Sequence, residues 1–416
     1  MARKGATQQS SAPYNRRIVL DVIRRGHEVS RKEIIDQVGL SPQTVANITQ
    51  DLETMGLVIS KRIKGGGARG QPPMAFMLNP RGGDAIGISL EPHKISAGVV
   101  NLVGEVLARR EVVNDARDRA ATLELMVELV ADLSAKSHDA RTLWGVGVAM
   151  PGPFDAPNLS FVGPTAIEGW SDLSILTELE VRTGLDVFYN TDSVAAALGE
   201  SLFGVAQDLD NYFYLHFGIG LGGALILEKA AYPGERGNAT EIGHIPIQPG
   251  GAPCYCGSQG CLERYLSLHA LSEAIIGDVG VELSNEQILR LLARDDERLA
   301  AWCQAAAGHL RNAVCVIENM LDPTTIVIGG SAPAALVRHI VDLTLPLLPS
   351  VRTGAPSGRS RITLSERQED SLILGAAVLP IHEVAVTQLR DLALDAPRGP
   401  RRGGFPQADA VGAASD

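Results

Sequence analysis

His244, Cys254, Cys256 and Cys261 fall within one short stretch of a chain that has only five cysteines in 416 residues. The stretch reads Glu241-Ile-Gly-His244, then Cys254-Tyr-Cys256-Gly-Ser-Gln-Gly-Cys261-Leu-Glu263. One imidazole and three thiolates make a closed tetrahedral set for zinc, with no position left open for water. The segment is thereby constrained to a knotted loop, and the metal's role is structural and not that of a Lewis acid. A reduced, buried Cys cluster is the other reading. Cys303 and Cys315 lie among aliphatic residues in helical sequence and are expected in the core as small hydrophobes.

The N-terminus, MARKGATQQSSAPYNRR, has no apolar segment of the kind a secretory leader needs, and no run approaches the roughly 18 to 20 uncharged residues of a membrane span. A cytoplasmic protein of about two or three domains is expected. Its net charge of −11 is unevenly spread. Residues 1–80 hold 12 Lys or Arg against 6 Asp or Glu, which leaves the remainder at −17. A basic head on an acidic body suits a DNA-binding module joined to something else. A charge run alone is usually a solvated face, so the pattern inside the head has to decide.

Asn15 to Arg25 carries Ile18, Val19, Val22 and Ile23 in a helical stripe closed by Gly26. Ser30 is placed to cap a second helix, Arg31 to Val38, which ends at Gly39. Ser41 then offers an N-cap, and Pro42 opens a third helix to Met55 where its missing N–H costs nothing. The spacing predicts a helix-turn-helix whose second helix enters the major groove. Ser41, Gln43, Thr44 and Asn47 are its candidate DNA contacts, to base edges or to phosphate. Leu57-Val58-Ile59 and Phe76-Met77-Leu78 read as strands flanking a basic, glycine-rich wing. Arg69 and Gln71 in that wing are expected to reach phosphate or the narrow minor groove; a plain hairpin tip is the other reading.

From Asp84 onward, β-type apolar runs (Ala85 to Leu90, Ala97 to Leu102, Trp144 to Ala149, Val187 to Tyr189, Tyr212 to Phe217, Thr325 to Ile328) alternate with amphipathic helices such as Thr122 to Ser134. This is the pattern of an α/β fold. Glycine-bearing loops follow the strands at Pro151-Gly-Pro153, Gly218-Ile-Gly-Leu-Gly-Gly223 and Gly329-Gly-Ser331. Backbone N–H groups there can face a phosphate or a sugar, with a tight turn as the default reading.

The winged head, the Pro-Gly-Pro loop, Asp192 before Ala-Ala-Ala-Leu-Gly-Glu, the GxGxGG loop, Glu241-Ile-Gly-His244 and the cysteine knot together resemble the ROK family (repressors, open reading frames, sugar kinases). The resemblance runs to about Pro380, and the head places the chain with the branch that includes the xylose and N-acetylglucosamine repressors. It implies an actin/hexokinase-like pair of lobes closing on a sugar, with a structural Zn2+. In the kinases an Asn-Asp pair, a Glu, the zinc-binding His and the Glu after the last Cys hold sugar hydroxyls. Here these positions are Thr191, Asp192, Glu241, His244 and Glu263, with only the Asn lost. Ala166 is a second departure, near where kinases often carry another hydroxyl-binding Asn. Asp192 stands at the position of the general base.

The nucleotide site departs further. Where the kinases have an Asp-x-Gly-Gly-Thr-Lys turn, this chain reads Ser89-Leu-Glu-Pro-His-Lys94, and Phe217 replaces the Thr before the second phosphate loop. The turn loses its Asp and both glycines, and Pro92 removes an N–H. The sequence therefore points to a non-enzymatic, sugar-responsive DNA-binding regulator, a repressor of carbohydrate uptake or catabolism genes, with Asp192 idle. Its partners are a double-stranded operator, a sugar or sugar phosphate, and its own copies in a homodimer or homotetramer. An ATP-dependent sugar kinase with an appended reader is the alternative. The domains read as 1–80 for the winged reader, 82–195 and 196–372 for the lobes, 373–394 for a C-terminal helix (its amphipathic part from Pro380), and 395–416 for a disordered tail.

Overall fold

The computed structural model describes residues 12–62, 74–114, 118–139, 142–152, 173–277, 281–351, 358–367, 370–387 and 401–403. Its first unit is three helices on a small antiparallel sheet. The elements are α1 (Ala12–Gly26), β1 (Val29–Ser30), α2 (Arg31–Val38), α3 (Pro42–Thr54), β2 (Val58–Arg62) and β3 (Met74–Leu78), with strand order β1-β3-β2. The two-residue β1 carries no sequence signal of its own; it forms by pairing Val29 with Phe76. Each helix boundary has a local cause. Ser30 and Glu33 exchange side-chain and backbone hydrogen bonds in a capping box, and Gly39 ends α2 in the left-handed region at φ 67°. Ser41 Oγ accepts the Thr44 N–H at 3.1 Å to start α3. Val45, Ile48, Thr49 and Leu52 are buried against α1 and α2, which turns Gln43, Asn47 and Gln50 outward.

The remainder is α/β with two mixed sheets. The first comprises β4 (Asp84–Glu91), β5 (Lys94–Asn101), β6 (Val106–Val113), β7 (Leu143–Met150), β8 (Val187–Thr191) and β14 (Arg401–Arg402), in the order β14-β8-β7-β4-β5-β6. The second comprises β9 (Tyr212–Phe217), β10 (Leu221–Leu227), β11 (Ala230–Ala231), β12 (Ile326–Gly329) and β13 (Ile362–Leu364), in the order β11-β10-β9-β12-β13. Each sheet begins with an antiparallel meander and adds parallel strands on its other side. Helices α4 (Arg119–Ser134) and α5 (Ser174–Thr183) cover one face of the first sheet. Its other face meets α6 (Asp192–Phe203) and α11 (Ser371–Thr387), and α6 also touches β9 and β10. Helices α7 (Leu268–Ile276), α8 (Asn285–Ala293), α9 (Glu297–Leu321) and α10 (Ala334–Thr344) enclose the second core.

Glycine lets α11 come close. A methyl group on Gly147 in β7 would sit 1.8 Å from the Ala376 carbonyl, and one on Gly87 in β4 would sit 2.2 Å from that of Ile373. The helix backbone thus lies directly on the sheet, and Gly375 meets the α6 backbone at Ala195 and Ala196. This fixes the height of α6 and so of Asp192 at its start.

Four sequence expectations need correction. The C-terminal helix starts at Ser371 and runs through Pro380, whose ring packs towards Gly147, and its side chains from Ile373 to Ile381 are largely buried where an amphipathic stretch was expected from Pro380. The tail is not wholly without structure, because Arg401 and Arg402 pair in parallel with Phe188 and Tyr189. The boundary between residues 195 and 196 falls inside the continuous α6. Cys303 is fully buried as expected, whereas Cys315 is half-buried, its thiol facing the Pro349 carbonyl at 3.5 Å. No described helix is long and apolar enough to cross a membrane.

Candidate ligand cleft and metal centre

A cleft of about 470 Å³ lies between the sheets, bounded by the β4–β5 turn, the start of α6, the β9–β10 turn and the cysteine loop. All five residues expected to hold a sugar line it: Thr191, Asp192, Glu241, His244 and Glu263. Thr191 Oγ1 accepts the Val194 N–H at 3.3 Å, so this residue caps α6 as well as lining the cleft. Asp192 Oδ1 takes the Ser193 N–H at 2.6 Å, and its Oδ2 lies 3.9 Å from His216 Nε2. Glu263 Oε2 accepts the Leu221 N–H at 2.9 Å, while the neighbouring Arg264 pairs with Glu273 at 2.7 Å. Glu263 is therefore not consumed by its adjacent base.

His216 and Asn238 also line the cleft and were not anticipated, and Ser331 lines it from the Gly329-Gly-Ser331 loop. His216 did carry a signal, being the polar break at the end of the apolar run Tyr212 to Phe217, beside the glycine turn. Asn238 lies in an irregular segment where single residues carry no period.

The glycine segment 218–223 is a hairpin with a tight turn, the default reading of its sequence. Gly218, Ile219 and Gly220 make the turn, and Leu221 to Gly223 already belong to β10. The Gly218 and Ile219 carbonyls accept the Leu268 and His269 N–H groups, which ties the turn to α7. At the other phosphate position, Pro92 and His93 form a tight turn between Glu91 and Lys94, and Lys94 Nζ lies 3.4 Å from Glu91 Oε2. Glu91 thus brings its own counter-ion, and steric closure of the turn matters more than its charge. Ala166, Arg69 and Gln71 lie outside the described residues.

The four metal-type ligands converge. One ligand atom from each of His244, Cys254, Cys256 and Cys261 lies within 4.8 Å of the others. His244 Nδ1 is 3.6 Å from Cys254 Sγ, and Cys256 Sγ is 3.6 Å from Cys261 Sγ. Burial first, and the neighbouring thiols second, push Cys261 up to about 12. A cation bound here would have to displace the Cys261 proton, so metal binding would release protons. With Nδ1 turned to the sulfurs, Nε2 is the nitrogen that His244 has left for the cleft.

On the head, Gln43 Nε2 donates to Asn47 Oδ1 at 2.9 Å on the exposed face of α3. Ser41 and Thr44 instead share a hydroxyl contact at 2.8 Å and serve the helix cap.

The ROK family model matches residues 85–383. The chain belongs to the ROK family. It is 28% identical over 344 residues to the xylose repressor of Caldicellulosiruptor bescii, covering 76% of this chain and 83% of that protein. A solved ROK family transcriptional regulator, a homolog of the E. coli MLC protein, shares the fold at a TM-score of 0.67 and 24% identity, over 92% of this chain and 98% of its own. A ROK glucokinase from Streptomyces griseus, solved with glucose and AMPPNP, matches at a TM-score of 0.59 and 26% identity, over 71% and 99%. The regulator thus matches a stretch of this chain that the kinase lacks.

Proposed function

We propose that this ROK protein is a sugar-responsive transcriptional repressor that binds DNA through a winged helix-turn-helix and a sugar through its cleft. The observation that carries the reading is the joining of two sites in one chain. An outward Gln43/Asn47 pair on a capped third helix stands at one end, and five polyol-type residues converge at the other. The likeness to a xylose repressor supports it. Carboxylates and an imidazole suit vicinal hydroxyls because each can accept or exchange a hydrogen bond, and a ligand that leaves them unpaired is penalised.

The lining favours a neutral ligand over a phosphorylated one. Asp192, Glu241 and Glu263 line the cleft, as does Glu91 with Lys94 for its counter-ion, and no Lys or Arg is among the described lining residues. Like charges in a partly buried site disfavour an anion, so a free sugar is the effector class. His244 with the three cysteines would hold a structural Zn2+, which supplies loop closure and fixes the segment that carries Glu241 and Glu263. Two half-sites on an operator require a two-fold partner, hence a homodimer or homotetramer.

The competing reading is an ATP-dependent sugar kinase. The placement of Asp192 beside His216 favours it, and the closed Pro92-His93 turn opposes it. The test is the shift of a labelled fragment from upstream of the protein's own gene, titrated with free aldoses, amino sugars and their 6-phosphates. A free sugar is expected to change the shift and its 6-phosphate is not. A shift indifferent to every sugar, or Asp192-dependent ADP release with a sugar of the panel, would overturn the repressor reading.

A further inference from the structure

Helix α1 of the N-terminal unit brings Asp21, Arg24 and Arg25 against the body of the molecule. Arg24 Nη2 donates to Asp21 Oδ1 at 2.6 Å, and Arg25 Nη2 lies 2.8 Å from Asp21 Oδ2. The body contributes Lys229, whose Nζ is 3.3 Å from Asp21 Oδ2 and donates to the Gln207 carbonyl at 3.1 Å. Arg24 Nη1 reaches the carbonyls of Ser201 and Leu202 at 3.2 and 2.8 Å. The Arg24 and Lys229 side chains are only 12% exposed, so this is not the solvated kind of ion pair that contributes nothing measurable. Burial alone would raise the Asp21 carboxyl; Arg24, Lys229 and Arg25 outweigh it and hold the group down to about 2.

Both body contacts lie at the far ends of elements that start in the cleft. Ser201 and Leu202 belong to the last turn of α6, whose first residue is Asp192. The last carbonyls of a helix lack intrahelical donors, and a cation there also meets the negative end of the helix dipole. Arg24 therefore caps α6 from another domain. Lys229 sits in the turn after β10, with φ 67°, and β10 starts at Leu221, whose N–H is held by Glu263. From cleft to cluster, α6 spans about 18 Å and β10 about 23 Å. Neither can shorten, since one is a continuous helix and the other is paired with β9 from Leu221 to Ile226.

We propose that the Asp21–Arg24–Lys229 cluster is the coupling point between cleft and DNA-binding unit, with α6 and β10 as two rigid rods that carry a displacement from Asp192 and Glu263 to α1. The proposal rests on reading the cleft as an effector site. A ligand that recruits the Glu263 carboxylate competes with the Leu221 N–H at one end of β10. The resulting shift is felt by Lys229 at the other, to the extent of the ligand's differential affinity for the two placements.

The coupling can be tested on the full chain without any ligand, by amide hydrogen exchange read by mass spectrometry. Glu263→Ala removes the acceptor at the cleft end of β10, and exchange is expected to rise about tenfold in residues 18–25 of α1. In a Lys229→Met background the same substitution is expected to add nothing at α1, a non-additive pair, and Lys229→Arg to restore the response. Should Glu263→Ala fail to fold, Asp192→Asn combined with Arg24→Gln probes the other rod by the same readout. Additive effects, or an α1 indifferent to the cleft substitution while Lys229 is intact, would overturn the coupling. Failure of the effector reading looks different: no sugar of the panel binds, while the ligand-free non-additivity stands.

Discussion

Cys256 and Asp192 show how differently single residues were announced by the sequence. The cluster that could hold a metal was legible because zinc accepts few ligand types at restricted spacings, so three cysteines and a histidine name their own partners. The structure brings all four within bonding reach of one ion. Cys256→Ser is expected to release bound zinc, measurable by a chromogenic chelator, and to lower the melting temperature, since ligand loss undoes a site coupled to folding. Unchanged metal content would leave only a cluster of buried thiols. Asp192 and Glu263 were legible only through resemblance, because a lone carboxylate has no spacing rule. His216, 3.9 Å from the Asp192 carboxylate, was missed although it breaks the apolar run Tyr212 to Phe217.

Among the elements, periodicity and capping residues located most helices and strands, including Ser30, Gly39, Ser41 and Pro42 at their ends. What it could not reveal was anything formed by pairing across long separations. Strand β1 exists through Phe76 and Ala75, and β14 through Phe188 and Tyr189. Pro380 misled for a physical reason: proline disfavours helix interiors, but here the ring is used against Gly147, at a place where the Ala376 carbonyl lies on the sheet. Gly147→Ala is expected to destabilise the fold by about 1–3 kcal/mol through overpacking, read by chemical denaturation. A wild-type midpoint would show that α11 can lift from β7 at little cost. At the other end of the chain, Ser41→Ala removes the cap of α3 and is expected to cost about 1 kcal/mol.

For the whole molecule, the N-terminal unit shares its apolar core with the first sheet and α11, so reader and body are not strung together by a bare linker. His382, on α11, borders the cavity beneath α1 together with Arg17. Both its ring nitrogens are buried without a hydrogen-bond partner, and burial, aided by Arg17, pushes it down to about 4. The unfolded chain takes up this proton near pH 6.5 and the folded chain only near 4. Stability contributed by the neutral ring is therefore fully present above pH 6.5 and falls as the pH drops towards 4, by up to about 3 kcal/mol. His382→Gln is expected to flatten that stretch of a denaturation-versus-pH curve. Asp21 acts in a different window, since its lowered carboxyl loses its contribution only as the pH falls below the ordinary carboxylate range towards 2.

Strand β14 carries a practical lesson for anyone shortening this chain. Composition invites a cut at residue 394, yet Gly403 donates its N–H to Tyr189 at 3.1 Å and takes the Asn190 side chain on its carbonyl, two residues from Asp192. Removing that strand would bare the β8 edge, a row of unsatisfied peptide groups of the kind on which foreign strands nucleate. A trimmed protein would then gain a sticky seam beside its own binding site, and its aggregation could be mistaken for a failure of the cleft.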